Sequence, residues 1–274
     1  MAALPPLVKT LDRSLTLVYT VNIINTVNLV YGTNMSEQTR REKQRESNLA
    51  EIKEVARRQM SEVGASSLSL RAIAREMGMT APALYRYYEN RDALVTELII
   101  DAYNALADTM IAAAEGQPKE AFAARLRAVA SAYRKWAVDH PEDYKLIYGT
   151  PIPGYHAPPE RTVEPAGRVQ QAIGLILAEA SWAGKIDFPA VYTNLPVDLQ
   201  GPIDALLTSL PPNVPAAALT LTMVIWSIWH GLVWGEIVGH YPPGLADSGA
   251  LFDLELAATL QRLKLETEEL KTEI

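Results

Sequence analysis

Ser69, Arg71, Tyr85, Tyr87 and Arg91 place hydroxyls and cations along one short stretch, SLSLRAIAREMGMTAPALYRYYENRDAL, from Ser67 to Leu94. Such groups hold phosphate oxygens. Among them stand Thr80, Ala81, Pro82 and Ala83, whose small side chains let a helix lie deep in a major groove. There the threonine and alanine methyls can meet thymine methyls. The chemistry on offer is non-covalent contact with a DNA duplex.

Bond-making chemistry has weaker support. The chain has no G-x-S-x-G, no phosphate loop and no G-x-G-x-x-G. Asp139, His140, Glu142 and Asp143 form a candidate acid–base group, but charges at helix ends explain them better. There is no cysteine, which excludes disulfides and thiolate metal sites. Four scattered histidines without H-E-x-x-H argue against any metal site. No catalytic residue, metal or cofactor is expected. A helical adaptor that binds only protein stays open as an alternative, and an enzyme as a lesser one.

The elements that must position the DNA-facing residues are short. Leu70, Ile73, Ala74 and Met77 fall at helical spacing and make one apolar face. Gly78 stops that helix, because without a Cβ it reaches the left-handed cap conformation cheaply. Thr80 is placed to cap the next helix with its hydroxyl, and Pro82 suits its first turn. Leu84 and Tyr88, four apart, share the inner face. Two short helices around a glycine turn are helix-turn-helix architecture. Ahead of them, Leu49 to Val63 reads as a helix with Leu49, Ile52, Val55, Ala56 and Met60 inward and Arg57 and Arg58 at the surface.

The run IAREMGMTAPALYRYYENRDAL resembles the DNA-binding domain of the TetR family of bacterial regulators. The likeness spans about Leu49 to Leu98 and rests on Leu84, Tyr85, Tyr88, Arg91 and Leu94, with Ile52, Val55, Ala56 and Gly64 in the preceding helix and turn. Arg91 stands where the family usually carries lysine, which keeps the charge and changes the donor geometry. Farther on, AYRKWAVDHPEDYKLIYG (Ala132 to Gly149) and the tripeptide Trp229-His230-Gly231 resemble a TetR-type C-terminal domain often named for its WHG motif. The resemblance implies an operator-binding homodimer whose C-terminal half pairs the subunits and holds an effector. It also implies a bacterial, cytoplasmic protein.

The charge distribution agrees. The whole chain carries a formal −7, yet Met35 to Ile99 has 11 Lys/Arg against 10 Asp/Glu, while Ile100 to the end has 12 against 21. The acidic part is therefore not the part expected on DNA.

Residues Met1 to Asn34 differ from the rest. They hold four of the nine asparagines and a run, LTLVYTVNIINTVNLVYGTN, too polar for a membrane span and poor as a signal peptide. The sequence reads as translated promoter DNA, with Met35 as the native start and a basic arm, Thr39 to Arg45, following. The expected organisation is an extension or disordered arm over 1–45, a helix-turn-helix domain over 46–90 and a helical domain over 91–274.

The helical remainder is all-α in pattern. Arg91 to Ala114 is a long helix leading out of the DNA module; Lys119 to Asp139 follows, then a short helix to Tyr148. Gly149 to Pro159, with four prolines and two glycines, is an irregular segment long enough to form a lid. Arg161 to Ala183 is helical, Phe188 to Gly201 an irregular connector, and Pro202 to Leu210 a short helix. The helix from about Pro215 to Val238 is apolar nearly all round, so two or more partners must cover it. It and the amphipathic Leu251 to Ile274 are expected to pair with their copies in a four-helix interface. Gly231 is expected to allow close helix approach. An effector pocket is expected among Tyr133, Trp136, Tyr148, Trp226 and His230. Its low polar content favours a small hydrophobic or aromatic ligand. No membrane partner is expected.

Overall fold

A computed structural model describes residues 40–242, 244–245 and 249–265, and among these the chain forms helices and no strand. The expected translated promoter at 1–34 and Leu270 of the last helix lie outside the described residues. Chain contacts divide at Ile52 into two units. The first contributes the N-terminal half of helix α1 (Arg40–Val63). This half is helical from Arg40, where the sequence suggested a frayed arm and a helix opening at Leu49. Glu, Gln, Arg and Lys are good helix formers there, and Gln44 donates to Asn48 one turn on at 3.0 Å. Ile52 itself is buried.

The second unit holds the remainder. After α1 a 3-10 turn, Ala65–Ser67, leads to α2 (Leu70–Glu76) and α3 (Ala81–Leu84). Helix α4 (Arg91–Glu115) is capped by the Asn90 side chain, which accepts from the Ala93 N–H at 2.8 Å. It buries Leu94, Leu98, Ala102, Leu106 and Met110 on one stripe and packs on α5 (Phe122–Asp139), α6 (Pro141–Tyr148) and α7 (Pro159–Trp182). Proline stands in the first turn of both α6 and α7, where its missing N–H costs nothing.

Short α8 (Ala190–Thr193) and α9 (Val197–Leu207) then precede α10 (Ala216–Ile237) and α11 (Ala250–Arg262). Pro202 lies inside α9 rather than starting it, because Pro196 and Asp198 open the helix earlier. The carbonyl that Pro202 leaves without an N–H belongs to the exposed Asp198. Helix α10 is long and apolar enough to cross a membrane by length and composition. In the fold it packs against α5, α7, α8, α9 and α11, which explains its apolar character. Gly174 marks a close approach of α7 to α10: a Cβ there would lie 3.2 Å from Thr222 Oγ1. Gly231 has nothing within 4 Å of such a Cβ, so no close approach within the protomer requires it.

Candidate nucleic-acid interface and effector site

The helix-turn-helix is built by local hydrogen bonds. Ser69 Oγ accepts from the Ala72 N–H at 3.4 Å and caps α2. At the other end Gly78 takes φ +65°, and the N–H groups of Gly78 and Met79 donate to the carbonyls of Arg75 and Ala74 at 3.2 and 2.8 Å. That bond pair closes a helix only around a left-handed residue. Thr80 occupies the cap position of α3, but its side chain makes no capping bond. Its hydroxyl, expected to serve the helix, stays exposed.

Helix α3 is one turn long and continues as a tight turn, with the Tyr87 N–H donating to the Leu84 carbonyl at 2.8 Å. Leu84 and Tyr88 are buried as their spacing required. Burial, with the nearby Glu97 and Asp101 carboxylates, pushes the Tyr88 phenol up to about 12. Tyr88 is thus an inner residue, unlike Tyr85. Thr80, Pro82, Tyr85 and Arg86 are exposed, with Ala81, Ala83 and Tyr87 half-buried beside them. Ser69 is half-buried at the start of α2 and Arg71 exposed in its first turn.

Two features escaped the sequence reading. Arg86 adds an exposed cation between the two tyrosines, and its outward phase was readable from Leu84 and Tyr88. Arg57, assigned to the surface, instead donates through Nε to both oxygens of Asp143 at 2.9 and 3.0 Å. Its partner is 86 residues away, which no local pattern signals. Lys53 reaches Asp101 at 2.6 Å, so α1 is tied to both α4 and α6. Arg58 and Gln59 both hold Glu76, clamping α1 to α2. Arg91 is half-exposed; its guanidinium donates to Asp92 at 3.0 Å and to the Ser66 carbonyl at 3.4 Å.

The aromatic residues expected to line an effector pocket form a packed cluster. Tyr133 and Trp136 are buried in the core; Tyr148, Trp226 and His230 are half-buried. Tyr133 and Tyr144 share a hydroxyl hydrogen bond of 2.7 Å, and Tyr144 continues to His230 Nδ1 at 2.8 Å. The His230 ring stacks on Trp226 with centroids 5.4 Å apart. Desolvation drives the Tyr133, Tyr144 and Tyr148 phenols upward, so all three stay protonated. The Trp226 indole partly offsets the rise at Tyr133 and Tyr148, yet its N–H and the Tyr148 hydroxyl lack hydrogen-bond alignment with any described partner.

Burial lowers the His230 pKa below its ordinary 6.5, which favours the neutral ring. The unfolded chain then binds a proton first, so stability is complete above 6.5 and falls as pH drops from 6.5 toward the folded value. The melting temperature is expected to fall more between pH 7.5 and 5.5 for the wild type than for His230→Gln.

Open space lies elsewhere. A cavity of about 390 Å³ sits beneath the segment joining α6 to α7, walled by Ile99, Tyr103, Ile147, Tyr155, Thr162 and Ala166, with no charged side chain in its lining. Thr96 Oγ1 already donates to the Asp92 carbonyl at 2.9 Å, so Tyr155 donates its hydroxyl to Thr96, at 3.0 Å. The segment is thereby pinned to the second turn of α4. None of the five expected pocket residues lines this cavity. They filled their own space instead, because flat rings at helical spacing pack against one another.

Exposed apolar groups gather on α7 and α10. Leu175, Trp182 and Met223 are exposed, and Ser227 and Gly231 extend the α10 stripe at four-residue steps beside half-buried Val224 and Ile228. Helix α11, expected to share a subunit interface, turns Phe252, Leu256 and Leu260 into the core of its own protomer, as does Leu263 just past its end.

Comparison with known proteins gives a consistent picture. Residues 52–98 match the family model "Bacterial regulatory proteins, tetR family", and residues 126–259 match "Tetracyclin repressor-like, C-terminal domain". The HTH-type transcriptional regulators Rv1816 of Mycobacterium tuberculosis and Mb1846 of Mycobacterium bovis are each 36% identical over 212 residues, 77% of this chain and 90% of theirs. Among solved structures, the regulatory protein SCO4313 is 39% identical, with TM-score 0.64 over 81% of this chain and all of its own. A tetR-family regulatory protein from Rhodococcus RHA1 shares the fold at 16% identity and TM-score 0.54, over 80% of this chain and 98% of its own.

Proposed function

This chain is a transcriptional regulator of the TetR family, and from that premise we propose that it is a homodimeric repressor released from its operator by a small hydrophobic molecule. Thr80, Ala81 and Ala83 face base edges, with Pro82 holding the first turn of α3 in shape. Ser69, Arg71, Tyr85, Tyr87 and Arg91 hold phosphates, and Arg86 joins them. The dimer forms through α7 and α10, whose exposed apolar stripe is otherwise left to water. The protein works in the cytoplasm, where its DNA is.

The observation that carries the effector reading is the uncharged cavity pinned to α4 by Tyr155. A neutral apolar ligand fits that lining better than a sugar or nucleotide. Helix α4 begins at Arg91, directly after the recognition turn, and it bears on α5, α6 and α7. A ligand that binds better when Tyr155 and α4 are displaced shifts the population toward that arrangement; one with equal affinity for both shifts nothing. The displacement changes the separation of the two recognition turns.

The phosphate assignment is tested with Tyr85→Phe. The variant is expected to weaken binding by a similar factor, about fivefold for one lost hydrogen bond, on every operator variant tried. A loss confined to one base position shows that Tyr85 reads a base instead. The effector reading is tested by screening neutral hydrophobic compounds for thermal stabilisation. A ligand at a hundred times its Kd is expected to contribute about 2.7 kcal/mol and to release DNA. Ligands that bind this cavity and leave operator affinity unchanged contradict it.

A further inference from the structure

A second cleft, of about 360 Å³, lies where the end of α1 and the turn after it meet α6. Met60, Leu146, Ile152 and Trp234 make it apolar, and Glu142 and Lys145 supply its charge. Gly64, Ala65 and Ser66 complete the wall on the DNA-module side. Unlike the cavity under Tyr155, it offers both a carboxylate and an indole ring.

Three features favour one kind of occupant. First, Glu142 and Lys145 pair only one turn apart on α6, at 3.0 Å, with side chains 31% and 41% exposed. Such a pair contributes little, so the longer Lys145 side chain can move to water and leave the Glu142 carboxylate to a guest. Second, Trp234 is braced by the aromatic cluster, its ring centroid 6.0 Å from His230 and 6.5 Å from Tyr144. Indole is the strongest aromatic partner for a cation. Third, the chain carries a formal −7, so its field gathers cations and disperses anions. The nearby Arg57 is already held by Asp143.

We propose that this cleft is a second ligand site, taking a small hydrophobic cation whose charge meets Glu142 and whose body lies against Trp234. The site adjoins the cavity for the neutral effector across a shared wall, Leu146 and residues 149–152, and differs from it in Glu142, Lys145 and Trp234. Its occupant bears on the turn whose Ser66 carbonyl receives Arg91. A guest there therefore bears on a phosphate-facing residue, Arg91, at the very start of α4, through the Ser66 turn rather than along the body of the helix.

The test is calorimetric titration of the full chain with benzyltriethylammonium, beside 3-phenylpropionate as the matched anion and benzyl alcohol as the neutral body. The cation is expected to bind more tightly than either. Glu142→Gln is expected to weaken it about tenfold, as loss of a charge-assisted contact does. Trp234→Leu is expected to weaken it too, while Lys145→Gln keeps or tightens it by removing the competing ammonium. Circular dichroism on each variant ensures that a loss is read on folded protein. No binding at millimolar cation, a preference for the anion, or a cation affinity indifferent to Glu142→Gln each overturns the proposal. Operator affinity without any compound, measured on the same samples, reports on the DNA-binding reading separately.

Discussion

Ser227→Arg is expected to give a folded protomer that has lost specific operator binding. Ser227 lies exposed on α10 between Met223 and Gly231, and its hydroxyl is turned back onto its own helix, donating to the Met223 carbonyl at 2.8 Å. An arginine there meets water in the isolated protomer. A two-fold interface sets the same patch of each subunit against its copy. Two guanidinium groups would then be driven together in a dry seam, with no carboxylate on the stripe to receive them. One recognition module buries too little for specific affinity, which for a dimer exceeds nonspecific binding by roughly a thousandfold or more. Sedimentation should report a monomer, circular dichroism an unchanged helix content, and gel shift a loss of that order. A variant that stays dimeric at unchanged affinity places the interface on another face.

The second large effect concerns the core of the regulatory domain. Trp229 is fully buried against Tyr133 and Phe252, with ring centroids 6.2 and 5.8 Å away. Trp229→Ala is expected to cost about 3–5 kcal/mol, a large share of a total stability of roughly 5–15 kcal/mol. The indole N–H has no hydrogen-bond partner among the described residues, so it adds nothing to that figure. Trp229→Phe therefore keeps most of the apolar contact, removes an unpaired buried donor, and is expected to cost well under half as much as Trp229→Ala. Tyr144→Phe behaves in the opposite way. It deletes few atoms but strands the Tyr133 hydroxyl and His230 Nδ1, at about 1–3 kcal/mol. Urea unfolding of the three variants checks the order. A Trp229→Phe as damaging as the alanine variant reveals a hydrogen bond from the indole N–H and contradicts its unpaired state.

What could be read in the sequence was what neighbouring residues decide among themselves. Gly78 and the buried pair Leu84 and Tyr88 act within one or two turns of chain and stand as their spacing required, while the cap read at Thr80 is made at Ser69 instead, on the preceding helix. The start of α1 was misjudged because a run of charged residues has no apolar face to announce a helix, although its helix propensity is high. Helix α10 was rightly read as needing several partners, but its sequence did not say which face each would take. Its apolar residues serve three purposes at once, facing α7, the aromatic cluster and water, and composition does not separate them. Gly231 was read as a close-approach glycine, whereas within the protomer the tight contact is made at Gly174, opposite Thr222.

The candidate effector site was the least legible part. Aromatic spacing drew attention to Tyr133, Trp136, Tyr148, Trp226 and His230, but rings that attract notice in a sequence also pack well in a core. The empty volume instead depends on how an irregular segment, Gly149 to Pro158, folds back across α4, and that is settled by one hydrogen bond from Tyr155 to Thr96. The Arg57–Asp143 pair is similar: two charges ordinary in their own helices acquire a role only when the fold brings α1 beside α6.

The most direct test of the central claim is selection of bound duplexes from a random DNA pool by the purified protein, followed by measurement of how many protomers occupy the selected site. A dimeric operator-binding protein selects an inverted repeat whose half-sites lie about one helical turn apart, roughly 34–36 Å, bound by two protomers and weakened as salt rises. A pool that stays random after repeated selection, or a selected site filled by one protomer, contradicts that claim.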